Sequence, residues 1–386
     1  MLAYILNFQG LDDDRGMLFP FFSNQRKKFV EAFGPTRGLK PFLIKYQSYG
    51  REITIALNSD KKVDLSIDEL SFNGLKELLL TAHKFNASKR NGDMPTSTVE
   101  RLLEEQRQQE FRKNLESKLN AFFRSGYSEA VYIPAGRTFL TVLTEQLRGI
   151  GDSGIDLVNR QFIELIANLR PLFKDELSNV AQDWLLRSDL DVDNDLLREA
   201  ESLIEAILKG SYRFTSGVET IVQKDDPETE VRINFASSGQ QESVWILFIL
   251  YFLTLSKSES FCVVEEPEAH LFPATQKDVV KLISLFSNAS RNQVVITTHS
   301  PYILEAFNIA MVAQDAGLVN PDAATEVLSR SCWLDYEQCA AFMVANGTVE
   351  PILEDDLRQV NSLAVDSISD VFSEQYDRLN SILNWM

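Results

Sequence analysis

The chain has 386 residues, 24% of them charged and 44% hydrophobic, with a formal net charge of -18. That length allows two or more domains around a sizeable core, and the composition indicates neither a disordered polar chain nor a membrane-inserted one. The acidity opposes general binding to duplex DNA, so nucleic acid is not supported as a partner, while a basic protein partner fits.

In chain order, Met1 to Phe8 is an apolar stretch without a basic region, and Asp12-Asp13-Asp14 follows it, which argues against a signal peptide. Arg26-Lys27-Lys28 and Lys84 to Arg90 are small basic clusters that read as solvated surface. Pro41 to Leu57 holds two strand-like runs around Ser48-Tyr49-Gly50-Arg51, a predicted hairpin. Residues 1–95 are expected to form a first domain. Thr96-Ser97-Thr98-Val99-Glu100 predicts a helix start, with the helix running to Arg124.

Ala130 to Pro134 reads as a strand leading into Ala135-Gly136-Arg137. From Phe139 to Leu208 the patterns are helical, broken near Gly149 to Gly154 and again near Asp189 to Asn194, so 96–210 is expected as a mainly helical insertion. The acidic run Asp189 to Asp195 lacks the glycine and terminal glutamate of a calcium loop and reads as an acidic helix N-terminus. Residues 211–386 form the expected third domain. It opens with a hairpin over Tyr212 to Phe235, turning at Lys224 to Pro227, with Val231 to Phe235 as its last strand. Gly347 to Met386 reads as an acidic, mostly helical cap or dimer contact.

Val244 to Leu255 is the most apolar run and is too short to cross a bilayer. Cys262, Cys332 and Cys339 have no metal-ligand spacing, and reduced thiols in a cytoplasmic setting are expected.

Three segments carry chemistry. Ser237-Ser238-Gly239 makes a tight turn before the apolar helix Gln240 to Leu255. A serine N-cap followed by glycine would let a phosphate approach backbone N–H groups, though the same pattern also caps ordinary core helices. Phe261 to Val264 is a short apolar run, as in a buried parallel strand, and Glu265-Glu266 stand at its carboxyl end, where open α/β sheets place ligands. Asn292 to Thr297 predicts the next strand, with His299 just past its end and Ser300-Pro301 opening a helix. Between Glu266 and His299 there is room for one helix and one strand, a single βαβ step.

In this order the segments resemble the signature, Walker B and switch-histidine motifs of ABC-type ATPases. The run Glu265-Glu266-Pro267-Glu268-Ala269-His270 is most similar to the AAA-like, OLD-like branch. The resemblance implies an α/β ABC-type ATPase head, a P-loop NTPase-like sheet with flanking helices. Residues 1–95 would be the first lobe, 96–210 a helical insertion and 211–386 the second lobe. It implies ATP and Mg²⁺ as ligands, with Glu265 in the metal role, Glu266 as catalytic base and His299 as γ-phosphate sensor. Ser237, Ser238, Gly239 and Gln240 would face nucleotide held by a second copy or a related ATPase chain. Ile133 to Arg137 resembles a PAxR-like segment, so Arg137 is expected to contact nucleotide or an acidic motif. An aspartate is more common than Glu265 at the metal position in the wider superfamily. A Gly239→Asp change is expected to fold, since aspartate suits a helix start.

No G-x-x-x-x-G-K-[ST] phosphate loop occurs in the 386 residues. Gly34 to Pro41 has the wrong spacing and no adjacent Gly-Lys. The expected fold therefore lacks its first strand and phosphate loop, through truncation, a split gene or degeneration. ATP hydrolysis then requires a loop supplied from elsewhere, and the isolated chain is expected to be inactive. The same resemblance implies an antiphage-defence ATPase controlling a companion nuclease or toxin. A catalytically inactive scaffold that assembles or inhibits a partner is the alternative.

Overall fold

A computed structural model describes residues 19–33, 36–48, 51–90, 106–115, 117–118, 129–138, 155, 157–173, 177–187, 192–215, 218–226, 228–362 and 367–383. The apolar start at 1–8, the helix start at 96–100 and the break at 149–154 lie outside the described residues. The chain divides into two compact units, Met1–Ser128 with Ile155–Val158, and Glu129–Gly154 with Asn159–Met386.

In the first unit, helix α1 (Phe19–Phe33) is followed by strands β1 (Phe42–Ser48), β2 (Arg51–Leu57) and β3 (Val63–Ile67) in one antiparallel sheet. Ser48 pairs with Arg51, so the predicted hairpin closes where the sequence places it. Asp68 then starts α2 (Glu69–Arg90): its carboxylate accepts from the Ser71 N–H at 2.8 Å and from the Glu52 N–H at 2.9 Å. Leu75, Leu78, Leu79 and Ala82 are buried at helical spacing, which gives α2 one apolar face.

The second unit contains a parallel sheet in the order β4 (Glu129–Ile133), β8 (Ser260–Glu265) and β9 (Gln293–Thr297). Between β4 and β8 come helices α3 (Leu157–Leu169), α4 (Leu177–Arg187) and α5 (Asn194–Leu208). An antiparallel meander β5 (Gly210–Thr215), β6 (Val218–Gln223) and β7 (Glu230–Arg232) follows, then helix α6 (Ser238–Leu255). Asp193 caps α5, accepting from the N–H of Asp195 at 2.9 Å, as the acidic-helix reading expects. Helix α6 is the centre of the unit. It is apolar on every side because it is covered on every side, with Trp245, Phe248 and Tyr251 fully buried. Phe173 stacks on Phe248 at 4.7 Å, and Trp184 meets Phe252 edge-on at 5.1 Å.

Three expectations are corrected. The helices read as an insertion share one core with the parallel sheet, since Phe162, Ile166, Leu197 and Ile204 cluster with Trp245, Val264 and Leu282. The strand expected over Val231 to Phe235 stops at Arg232, and Ile233–Phe235 forms a 3₁₀ turn that swings the chain into α6. The C-terminal part is not mostly helical from Gly347. Gly347 at φ +80 turns β10 (Phe342–Ala345) into β11 (Thr348–Pro351), and the short strands β12 (Leu353–Glu354) and β13 (Gln359–Val360) precede the last helix. Before these strands come α7 (Pro273–Ala289), α8 (Pro301–Val319) and α9 (Pro321–Val327), and α10 (Ser367–Leu383) closes the described chain.

Candidate functional site at the carboxyl ends of β8 and β9

Strand β8 is central in its sheet, so both of its edges are paired and its end is held in place. Its last residue, Glu265, accepts from the Tyr132 hydroxyl and, at 3.1 Å, from the Ala135 N–H, both from β4 and the turn after it. Glu266 N–H donates to the Thr297 carbonyl at 2.9 Å, which extends the ladder one step. The backbone then turns through φ +43, a left-handed value unusual for glutamate.

The carboxylates are then fixed from the other side. Glu268 is 9% exposed; its Oε1 accepts from the Thr298 hydroxyl at 2.6 Å and from the His299 N–H at 2.9 Å. Its Oε2 is buried with no hydrogen-bond partner, and the Glu266 carboxyl neighbours the Glu268 side chain. Burial and this neighbouring carboxyl hold Glu266 above its ordinary value of 4.5, with His299 opposing them. His299 Nε2 stands 3.3 Å from Glu266 Oε1, and its side chain is 92% exposed. Ser300 caps α8, with Pro301 at its first position, so β9 delivers His299 to the surface between a strand end and a helix start.

Arg137 ties the site together from below. It is 0% exposed. Nη1 donates to the carbonyls of Pro134 at 2.6 Å and Glu265 at 2.7 Å, Nη2 to Glu266 at 2.9 Å, and Nε to the Glu242 carbonyl at 2.9 Å. The Glu242 carboxylate in turn accepts the N–H groups of Arg137 and Thr138, each at 2.9 Å. Burial lowers the Arg137 pKa, while the charges of Glu242, Glu268, Glu265 and Glu266 raise it. Arg137 thus reaches Glu265 and Glu266 through their backbone carbonyls, from inside the protein.

Ser237 caps α6 through a capping box with Gln240: Ser237 Oγ accepts from the Gln240 N–H at 3.3 Å, and Gln240 Oε1 accepts from the Ser237 N–H at 3.0 Å. Gln240 Nε2 also donates to the Leu208 carbonyl at 2.7 Å, so Gln240 serves as an anchor of the helix start. Gly239 is buried. A Cβ there would meet the His270 carbonyl oxygen at 2.8 Å and Leu271 Cδ2 at 3.0 Å. The space that the missing side chain leaves is filled by the protein's own backbone, which corrects the expectation that Gly239→Asp folds. Ser238 is exposed beside it.

The structure brings Glu265, Glu266 and His299 together, with Arg137 beneath them, and seats the α6 start against His270. Glu242, Glu268 and Tyr132 complete this arrangement. The signal for Glu242 is its position as the one charged residue between Gln240 and Ser256, in a helix otherwise apolar after its first turn. A charge buried there needs a partner.

A family model described as the AAA ATPase domain matches residues 37–304. The chain belongs to this AAA ATPase family. A solved structure described as "Structural biochemistry of ATP-driven dimerization and DNA stimulated activation of SMC ATPases" is similar at 16% identity. The match covers 47% of this chain and 96% of that one, with a TM-score of 0.26. No curated protein matches the sequence. No helix among the described residues is long and apolar enough to cross a membrane.

Proposed function

We propose that this AAA ATPase-family chain is an ATP-binding and hydrolysing subunit of ABC-like mechanism, holding ATP between two copies or two related chains. The observation that supports this most is the convergence of Glu265, Glu266, Glu268 and His299 where β8 and β9 end. Glu266 is assigned as the base that orients and deprotonates the attacking water. A carboxyl held above its ordinary value is a stronger base than a free glutamate, which suits that task. His299 would reach a phosphate oxygen through its exposed ring.

The donor set fits Mg²⁺. Carboxylate oxygens are the hard ligands that Mg²⁺ takes, and each Glu265 oxygen keeps accepting capacity beyond its one observed hydrogen bond. Glu265 would hold the ion directly or through water, and a bound Mg²⁺ supplies charge neutralisation at the phosphates. The exposed start of α6 at Ser238 would present backbone N–H groups to nucleotide on the opposing chain. The finer reading, an OLD-like antiphage-defence ATPase in the cytoplasm that controls a nuclease or toxin, rests on the Glu265 to His270 resemblance.

One observation favours a second reading. With no phosphate loop in the 386 residues, the same fold would act as a catalytically inactive scaffold for a partner protein. Magnesium-dependent ATP turnover decides between them, measured on the chain alone and with a loop supplied by extension or by a related chain. Turnover that appears with the loop and vanishes in Glu266→Gln supports the ATPase. Absence of turnover in every combination leaves the scaffold.

A further inference from the structure

The first unit carries a basic groove in an otherwise acidic protein. Residues 1–128 hold 20 Lys and Arg against 16 Asp and Glu, whereas residues 129–386 hold 18 against 40. Part of that excess converges on a groove of about 660 Å³ lined by Arg26, Lys27, Val30, Thr36, Lys61, Lys62 and Val63. Two elements build it. Helix α1 places Arg26, Lys27 and Val30 within one turn, and α1 packs on β3. The β2–β3 turn supplies the two lysines and Val63.

That turn is shaped to present them. Asn58 Oδ1 accepts from the Lys62 N–H at 2.9 Å, and the Asn58 carbonyl accepts from the Lys61 N–H at 3.1 Å. Lys61 sits at φ +62, a left-handed value, and the Thr36 hydroxyl donates to its carbonyl at 2.9 Å. The backbone is therefore fixed from two sides where the two lysines join Val30 and Val63 in the groove lining. Lys61 Nζ uses one of its three protons on the Leu39 carbonyl, at 2.5 Å. Arg26 gives Nη2 to Asp64 at 2.7 Å, while its Nε makes no hydrogen bond. Arg26, Lys27, Lys61 and Lys62 line this one groove, and Lys61 keeps two ammonium protons beyond its internal contact.

We infer that this groove of the first unit binds a compact polyphosphate-bearing small molecule, whether or not the carboxylate cluster of the second unit serves an ATPase. Its volume falls within the range of small-ligand pockets. The two valines offer an apolar floor for the organic part, and the cations match several phosphate charges. An extended polyanion fits less well, because Asp60 and Asp64 bracket the lysine pair in sequence and would repel a strand running past it.

The test is calorimetric titration of the full chain with tripolyphosphate, without magnesium. Inorganic phosphate, ATP and an oligothymidylate serve as the comparison ligands. The expected result is one tripolyphosphate per chain, weakened by salt and weakened at least tenfold in Lys61→Gln/Lys62→Gln. Lys40→Gln/Lys45→Gln removes the same charge outside the groove and should bind like wild type, and melting temperatures verify that both variants fold. ATP binding tighter than tripolyphosphate, and weakened in Lys61→Gln/Lys62→Gln, would show that the nucleoside occupies the valine floor. No saturable binding, or equal loss in both double variants, overturns the site. Oligothymidylate binding tighter than tripolyphosphate and strengthening with length also overturns it, replacing a compact ligand with a nucleic-acid backbone.

Discussion

Arg137 and Glu242, 105 positions apart, form an ion pair at 3.3 Å with side chains 0% and 3% exposed. One partner follows β4 and the other lies in the first turns of α6. The guanidinium between them grips the carbonyls of Glu265 and Glu266. Through this pair the helix start and the acidic strand end become one rigid piece, so a shift in either is transmitted to the other. That suits a site whose reaction would couple nucleotide contact at Ser238 to proton transfer at Glu266.

Breaking this pair should be costly. Arg137→Met leaves four carbonyls without their donor and Glu242 buried without its counter-charge. The expected loss is about 3–5 kcal/mol, the usual consequence of removing one partner of a buried pair. Arg137→Lys should recover part of it, because it restores the charge but not the planar fork. Urea denaturation of Arg137→Met, Glu242→Gln and the double variant measures the coupling. Strictly additive losses would show that the two side chains act separately.

Glu266 gives a pH signature. Its folded pKa is raised, so the folded chain binds this proton more tightly than the unfolded chain. The resulting stability is complete below the ordinary value of 4.5 and is lost as pH rises through the raised folded value. Wild type should therefore lose stability relative to Glu266→Gln over that window. Melting temperatures of the two proteins across about pH 4 to 8 test this; a constant difference would remove the raised Glu266 pKa from the account.

Catalysis provides the third expectation. The chain alone, without phosphate-loop amides and lysine, should bind ATP weakly and turn it over negligibly. With a loop supplied, Glu266→Gln should retain ATP binding and lose roughly 10²–10⁴-fold in hydrolysis, the contribution of a general base. Single-turnover measurements separate the two steps. Wild-type turnover in the variant would remove Glu266 from its assigned role.

The strand ends were legible because buried parallel strands are short apolar runs, and the residue that breaks such a run marks the ligand side of the sheet. Glu265, Glu266 and His299 were found on that logic. What stayed hidden depends on distant partners. Nothing local to Arg137 says that its guanidinium turns inward to Glu242, and Glu268 could be placed only as part of a motif. Gly239 misled for the same reason: a glycine after a helix cap reads as room for a phosphate until the His270 carbonyl occupies that room. The strands after Gly347 were missed because they are two to four residues long, too short for an alternating pattern to show.

The Gly239 geometry also decides how the signature turn must be tested. Gly239→Ala places a methyl group 2.8 Å from a backbone oxygen that cannot rotate away, so it should cost about 1–3 kcal/mol, as overpacking does. Gly239→Asp adds an unpaired carboxylate to the same clash, and its loss of function would report misfolding. Ser238 separates the two effects, because it is exposed at the first position of α6. Ser238→Asp should hold or slightly raise the melting temperature, since a carboxylate at a helix start gains about 0.3–1 kcal/mol from the dipole. The same negative charge would stand where nucleotide phosphates on an opposing chain must approach the α6 amides. ATP-dependent dimerisation of the loop-supplied assembly should then be lost while the fold is intact. If dimerisation is unchanged at an unchanged melting temperature, the α6 start is a helix cap alone.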